Sequence, residues 1–143
     1  MIVVQAHGNF RVLHIGHLRH LQAARSLGDR LVVTVTADRY ITKNGGPIFP
    51  AALRQEMLSE LRCVDECHII DAPDALAAVQ EVSPDIIAVG GEYRGRYPEQ
   101  EAIEAFGVQV VFTDELVYST SKLLSHNCAG DGRRFDPFRA SHR

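Results

Sequence analysis

The chain has 143 residues, 45% of them hydrophobic, a mean hydropathy of −0.08 and a formal net charge of −3. That length suits one domain with a real core, and no apolar run approaches the roughly 18–20 residues that a membrane-crossing helix needs. The slight acidic balance argues against a general nucleic-acid binder while leaving room for a local basic pocket.

The N-terminal "MIVVQAHG" has no basic segment ahead of its apolar run, so it reads as a first strand and not as a signal peptide. Cys63, Cys67 and Cys128 are odd in number and unevenly spaced, which suits reduced thiols and a cytoplasmic location. In chain order, the pattern predicts a strand over 1–6 closed by Gly8, then a helix over 16–27 with Gly28 as its C-cap. The β-branched run 30–37 predicts a buried central strand, and "TKNGGPIFP", 42–50, a loop. A helix over 51–64, a strand over 66–71 and a helix over 73–82 with Pro73 and Asp74 at its start follow. The strand 85–91 runs into a glycine pair, then come a helix over 98–107, a strand over 108–113 and a short helix over 119–127 with Ser119 as N-cap.

Strands alternating with helices on short connections imply an α/β fold: a Rossmann-like, doubly wound, five-stranded parallel sheet with helices on both faces. Ligands of such sheets lie beyond the carboxyl ends of the strands, where the strand order switches. The glycine corners at 8, 16, 45–46 and 90–91 should include that rim. The domain spans 1–128. The tail 129–143, aperiodic and rich in Gly, Asp and Arg, reads as a linker toward another domain.

His14, His17 and His20 follow the first strand at intervals of three, with Gly16 between the first two. A metal reading is the weaker one on ligand count, because zinc wants three or four ligands and no familiar spacing supplies the rest. A second reading makes the imidazoles simple hydrogen-bonding groups at a helix start, and it suits His20. For His14 and His17 phosphate is the better reading. A helix N-terminus favours anions, Gly16 lets one approach the backbone, and imidazoles can donate to phosphate oxygens as their charge grows.

These residues carry a resemblance. "GNFRVLHIGHLRHLQAARSLGDRLVVTVTAD" resembles the opening of the nucleotidyltransferase superfamily with the HxGH signature, in its cytidylyltransferase-like branch. "TKNGGPIFPAALRQEMLSELRCVDECHII" resembles the lysine-bearing loop and helix of glycerol-3-phosphate cytidylyltransferase and of heptose-phosphate nucleotidyltransferase. "PDIIAVGGEYRG" and "VYSTSKLL" resemble that branch's "PD…GGDY" and "STT" segments, so the likeness covers roughly residues 1–125 with the motifs in order.

The resemblance implies that His14 and His17 steady the α- and β-phosphates of a nucleoside triphosphate and that Lys43 closes over them as a mobile charge. The backbone at Gly8, Asn9, Phe10 and Gly16 would line the phosphates. Gly90, Gly91, Glu92 and Tyr93 would border the base. Ser119, Thr120 and Ser121 would hold phosphate oxygens. Arg54 and Asp38 also match family positions, with a surface or ion-pair role as the alternative. The chain departs from the family at Asn9, where cysteine is usual, and at Arg11, where an acid is usual, so Arg11 is assigned to the acceptor's anion. An arginine that often precedes the "STT" segment is missing, leaving Arg94, Arg96 or Lys122 to replace it.

The implied reaction is direct transfer of CMP from CTP to a phosphonate or phosphate oxygen, releasing pyrophosphate, with Mg²⁺ held mainly through the nucleotide and no protein metal site. The best-matching acceptor is 2-hydroxyethylphosphonate, because the chain resembles the cytidylyltransferase domain that fosfomycin-pathway enzymes fuse to a second catalytic domain. Glycerol 3-phosphate with CTP, or a heptose phosphate with ATP, is the alternative. A nucleotide sensor is the non-enzymatic one. A homodimer and a fused second catalytic domain are the implied partners; no nucleic acid or membrane is expected.

Overall fold

The computed structural model describes residues 1–113; the expected helix 119–127, Cys128 and the tail 129–143 lie outside the described residues. Strands β1 (Val3–Gly8), β2 (Arg30–Thr36), β3 (Glu66–Ile70), β4 (Ile86–Gly90) and β5 (Gln109–Thr113) alternate with helices α1 (Ile15–Arg25), α2 (Ala51–Ser59), α3 (Ala75–Val82) and α4 (Gln100–Ala105). All strands are parallel, in the order β3-β2-β1-β4-β5. The order therefore switches between β1 and β4. β1 pairs with β2 along its whole length, from Val3 to Gly8, but with β4 only at Val4 and Gln5. Beyond those two residues the β1–β4 pairing ends, and the carboxyl ends of the strands at this switch are where sheets of this kind take their ligands.

Both faces are covered, as the alternating pattern implies. On one face Val4, Ala6, Leu31, Val33, Val35 and Cys67 pack under Leu21 and Ala24 of α1 and Leu58 of α2. On the other, Ile87 and Val89 pack under Ala75 and Val79 of α3 and Ile103 of α4. A strand buried on both faces must be apolar on both, which is why β2 reads as a continuous run of Leu, Val and Thr.

Several boundaries move for physical reasons. α2 stops at Ser59, because Leu61, Cys63 and Val64 turn inward to the core and the chain closes a tight turn, Val64 N–H donating to the Leu61 carbonyl at 3.0 Å. Gly28 is not the C-cap of α1; Ser26 is. A Cβ on Gly28 would sit 2.8 Å from Ile2 and Val4, so the glycine admits a close crossing of β1. Asp74 does start α3, its carboxylate accepting the Ala77 N–H at 2.9 Å. No helix among the described residues is long and apolar enough to cross a membrane.

Candidate active site

The corner after β1 is set by packing. Gly8 faces the Phe10 ring, whose nearest atom would lie 3.2 Å from a Cβ at position 8. Phe10 adopts φ 47, in the left-handed region that costs a side-chain-bearing residue energy, and its ring is buried against His17 at 5.4 Å. Burial of that ring holds the strained turn, and the turn aims the chain into α1.

His14 is the N-cap of α1. Its Nδ1 accepts the Gly16 N–H at 3.1 Å, while its own N–H donates to His17 Nδ1 at 3.3 Å. The two rings stack with centroids 3.9 Å apart. A backbone N–H can only donate, so both Nδ1 atoms are bare and each neutral ring carries its proton on Nε2. Burial lowers the His14 pKa, and burial with the neighbouring His14 and His20 rings lowers that of His17 to about 4. At neutral pH the pair is therefore uncharged, and the Val12 carbonyl stands within hydrogen-bonding reach of the His17 ring. The Gly16 amide, expected to face a phosphate, already donates to His14.

His20 differs. Its Nδ1 lies 2.9 Å from Thr113 Oγ1, whose hydroxyl reaches the Val89 carbonyl at 3.4 Å. Through this hydroxyl His20 ties α1 to β4 and β5. Its structural assignment agrees with this geometry.

Lys43 is exposed and opens a short 3-10 turn, Lys43–Gly45, within the expected loop. Two arginines hold this loop by its carbonyls. Arg11 Nε donates to Gly46 at 2.8 Å, and Arg54 Nε donates to Phe49 at 3.0 Å. Arg54, 0% exposed, also donates to the Asn9 carbonyl at 2.7 Å and to Asp38 Oδ1 at 2.7 Å. The same Asp38 oxygen accepts the Ala51 N–H at 2.9 Å, at the start of α2. A surface role for Arg54 is thus excluded: it ties the β1 corner, the 42–50 loop and α2 together. Its spacing, three residues after Ala51 and four before Leu58, puts it on the buried face of α2, a signal that the family match did not use.

On the other side of the switch, Gly90 ends β4 and Gly91–Tyr93 forms a 3-10 turn. The Glu92 carboxylate folds over Gly90, its Oε2 2.5 Å from where a Cβ would be, so a side chain at position 90 would displace it. Tyr93 is half exposed and neighbours Tyr97 at 6.2 Å, and Tyr97 meets Phe112 edge-on. Arg94 lies over the Phe112 ring and Arg96 Nε donates to the Glu92 carbonyl at 2.6 Å, placing both cations on this rim. Ser119, Thr120, Ser121 and Lys122 lie outside the described residues. Among the described residues no three His, Cys, Asp or Glu side chains converge as a metal cage. Cys67 is buried, with its thiol pushed up to about 11, so it is a poor nucleophile.

The stacked imidazoles sit at the corner after β1, and the loop that carries Lys43 is bonded to that corner through Arg11 and Arg54. The profile of the family described as Cytidylyltransferase-like matches residues 6–124. The chain belongs to the cytidylyltransferase-like family. Its relatives are nucleotidyltransferases, and this chain shares their family and fold. It is 38% identical over 135 residues to the Bifunctional protein HldE of Streptomyces coelicolor, covering 92% of this chain and 29% of that protein. It is 39% identical over 112 residues to the FAD synthase of Thermoplasma volcanium, covering 77% of this chain and 79% of that protein. A lipopolysaccharide core biosynthesis protein from Thermoplasma volcanium shares the fold at TM-score 0.68 and 37% identity, over 83% of this chain and 99% of that one. This cytidylyltransferase-like chain thus spans less than a third of the bifunctional relative but most of the FAD synthase.

Proposed function

We propose that this chain transfers a nucleotidyl group from a nucleoside triphosphate directly to a small anionic acceptor, releasing pyrophosphate. The observation that carries the reading is the His14–His17 pair: two stacked neutral imidazoles at the start of α1, each accepting a backbone N–H at Nδ1 and so carrying its proton on Nε2. Such donors can strengthen their bonds as the α-phosphate oxygens gain charge, with no reorganisation at the moment of reaction. Lys43 supplies a positive charge over the leaving pyrophosphate, and Arg11 meets the acceptor's anion at the corner. Ser119, Thr120 and Ser121 hold phosphate oxygens by resemblance to the family. A phosphate or phosphonate acceptor is already anionic at neutral pH, so no general base is needed, and catalysis is by alignment and charge stabilisation. Mg²⁺ accompanies the triphosphate through its own oxygens and water, and no step is assigned to it.

For the donor we favour CTP, and for the acceptor 2-hydroxyethylphosphonate, on the resemblance of the motifs. A second reading takes ATP as donor: FAD, the product named in the FAD synthase relatives, contains an adenylyl group. A sugar phosphate would then be the alternative acceptor. Pyrophosphate release with CTP and ATP, each against a panel of 2-hydroxyethylphosphonate, glycerol 3-phosphate and heptose phosphate, separates these cases. Release with one donor and one acceptor identifies the pair. Tight nucleotide binding without release under any pairing would make the chain a nucleotide sensor.

A further inference from the structure

The Lys43 loop is held unevenly. At its far end Arg54, fully buried and bound to Asp38, grips the Phe49 carbonyl. Nearer the lysine, the half-buried Arg11 grips the Gly46 carbonyl. Gly45 and Gly46 sit at φ 82 and 91, where a glycine costs little, and a Cβ at 45 would meet nothing within 4 Å. The backbone between the two grips is therefore fixed at 49 but restrained by one side chain at 46. Gly46 N–H in turn donates to the Lys43 carbonyl at 3.1 Å, so whatever holds Gly46 also sets the turn that carries Lys43.

We infer that Arg11 is a positioning residue for Lys43: it latches the Gly46 carbonyl to the β1–α1 corner and so presets the lysine over the phosphate site. The inference rests on the proposed nucleotidyl transfer for its consequence, but not for its geometry. The latch and any contact with the acceptor's anion are separable, since one uses Nε toward a carbonyl within the chain and the other the positive charge toward a ligand. A hydrogen bond from a charged donor is strong enough that its loss should raise opening of the loop by about tenfold.

Limited trypsin digestion without substrates, following by mass the cut after Lys43, reads the latch alone. Arg11→Met should speed that cut about tenfold, with the melting temperature almost unchanged. Arg11→Gln, too short to reach Gly46 but polar, should do the same and covers the case in which the methionine variant folds poorly. Arg11→Lys should restore part of the protection. With substrates, loss of the latch should raise the nucleotide KM, whereas loss of an acceptor contact should raise the acceptor KM. An unchanged cut after Lys43 in both Arg11→Met and Arg11→Gln overturns the latch and leaves the proposed reaction standing. Faster cutting in a protein that transfers no nucleotide keeps the latch and removes the reaction.

Discussion

Arg54 and Asp38 form an ion pair at 2.7 Å in which the arginine is wholly buried, while the carboxylate also caps α2 through the Ala51 N–H. The pair lies behind the site and aims it. Through Arg54 the β1 corner at Asn9 and the loop at Phe49 are bonded to one rigid guanidinium, whose fixed fork lysine cannot reproduce.

Arg54→Met should therefore destabilise the fold by about 3–5 kcal/mol, because it strands carbonyls and a carboxylate that were paired around a buried charge. Arg54→Lys should recover little of this. Asp38 is about half exposed, so Asp38→Asn should cost less. Chemical denaturation of the three variants checks the order. Equal stability of Arg54→Met and the parent would mean that the pair supports nothing.

Turnover should depend on the imidazoles as donors. His14→Ala removes both the N-cap and the Nε2–H, costing about 1 kcal/mol in stability and about 10²–10³ in kcat. His14→Asn keeps a cap acceptor at the helix start, so it should recover the stability but not the rate. His17→Ala should lose a similar factor. Nucleotide binding should weaken much less in each. Rate loss that tracks stability in every variant would reduce the histidines to capping residues, and rate loss on chelation of a protein-held metal would revive the metal reading.

Lys43→Ala should leave the melting temperature unchanged, since the side chain is exposed on a surface loop. Turnover should nonetheless fall sharply, because the charge matters only once the triphosphate is bound. A lowered melting temperature with full activity would make Lys43 structural.

Stability should fall as the pH drops from 7 to 5. Burial lowers the His7 pKa to about 4, against a raising effect from Asp74 and the Thr34 bond, and His17 also lies at about 4. Unfolded, both titrate near 6.5, so between that value and 4 the unfolded chain binds protons that the folded chain refuses. The sign is a loss of stability on acidification, of up to about 1.4 kcal/mol per pH unit for each histidine. Denaturant midpoints at pH 7 and 5 measure it, and His17→Asn should flatten the slope. A midpoint that rises on acidification would contradict the burial of these rings.

The sequence by itself determined the alternation of strands and helices, the parallel sheet and the histidine corner. These are carried by local signals: β-branched runs, apolar spacing at helical period, and glycines where the chain must turn. The three histidines illustrate the limit. Their spacing is uniform, yet His14 and His17 accept backbone N–H groups at the helix start while His20 meets Thr113, which arrives from a strand ninety-three residues away. Likewise nothing local to Gly28 shows that β1 passes against it, and nothing local to Arg11 shows that Gly46 lies within reach. Arg54 was named only through its family position, and its partners at Asn9, Asp38 and Phe49 come together only when the β1 corner and the loop meet at α2. Hydrophobic periodicity specifies which face of an element turns inward; which polar atoms then meet is decided by the close packing of distant segments, and the tertiary structure alone supplies that.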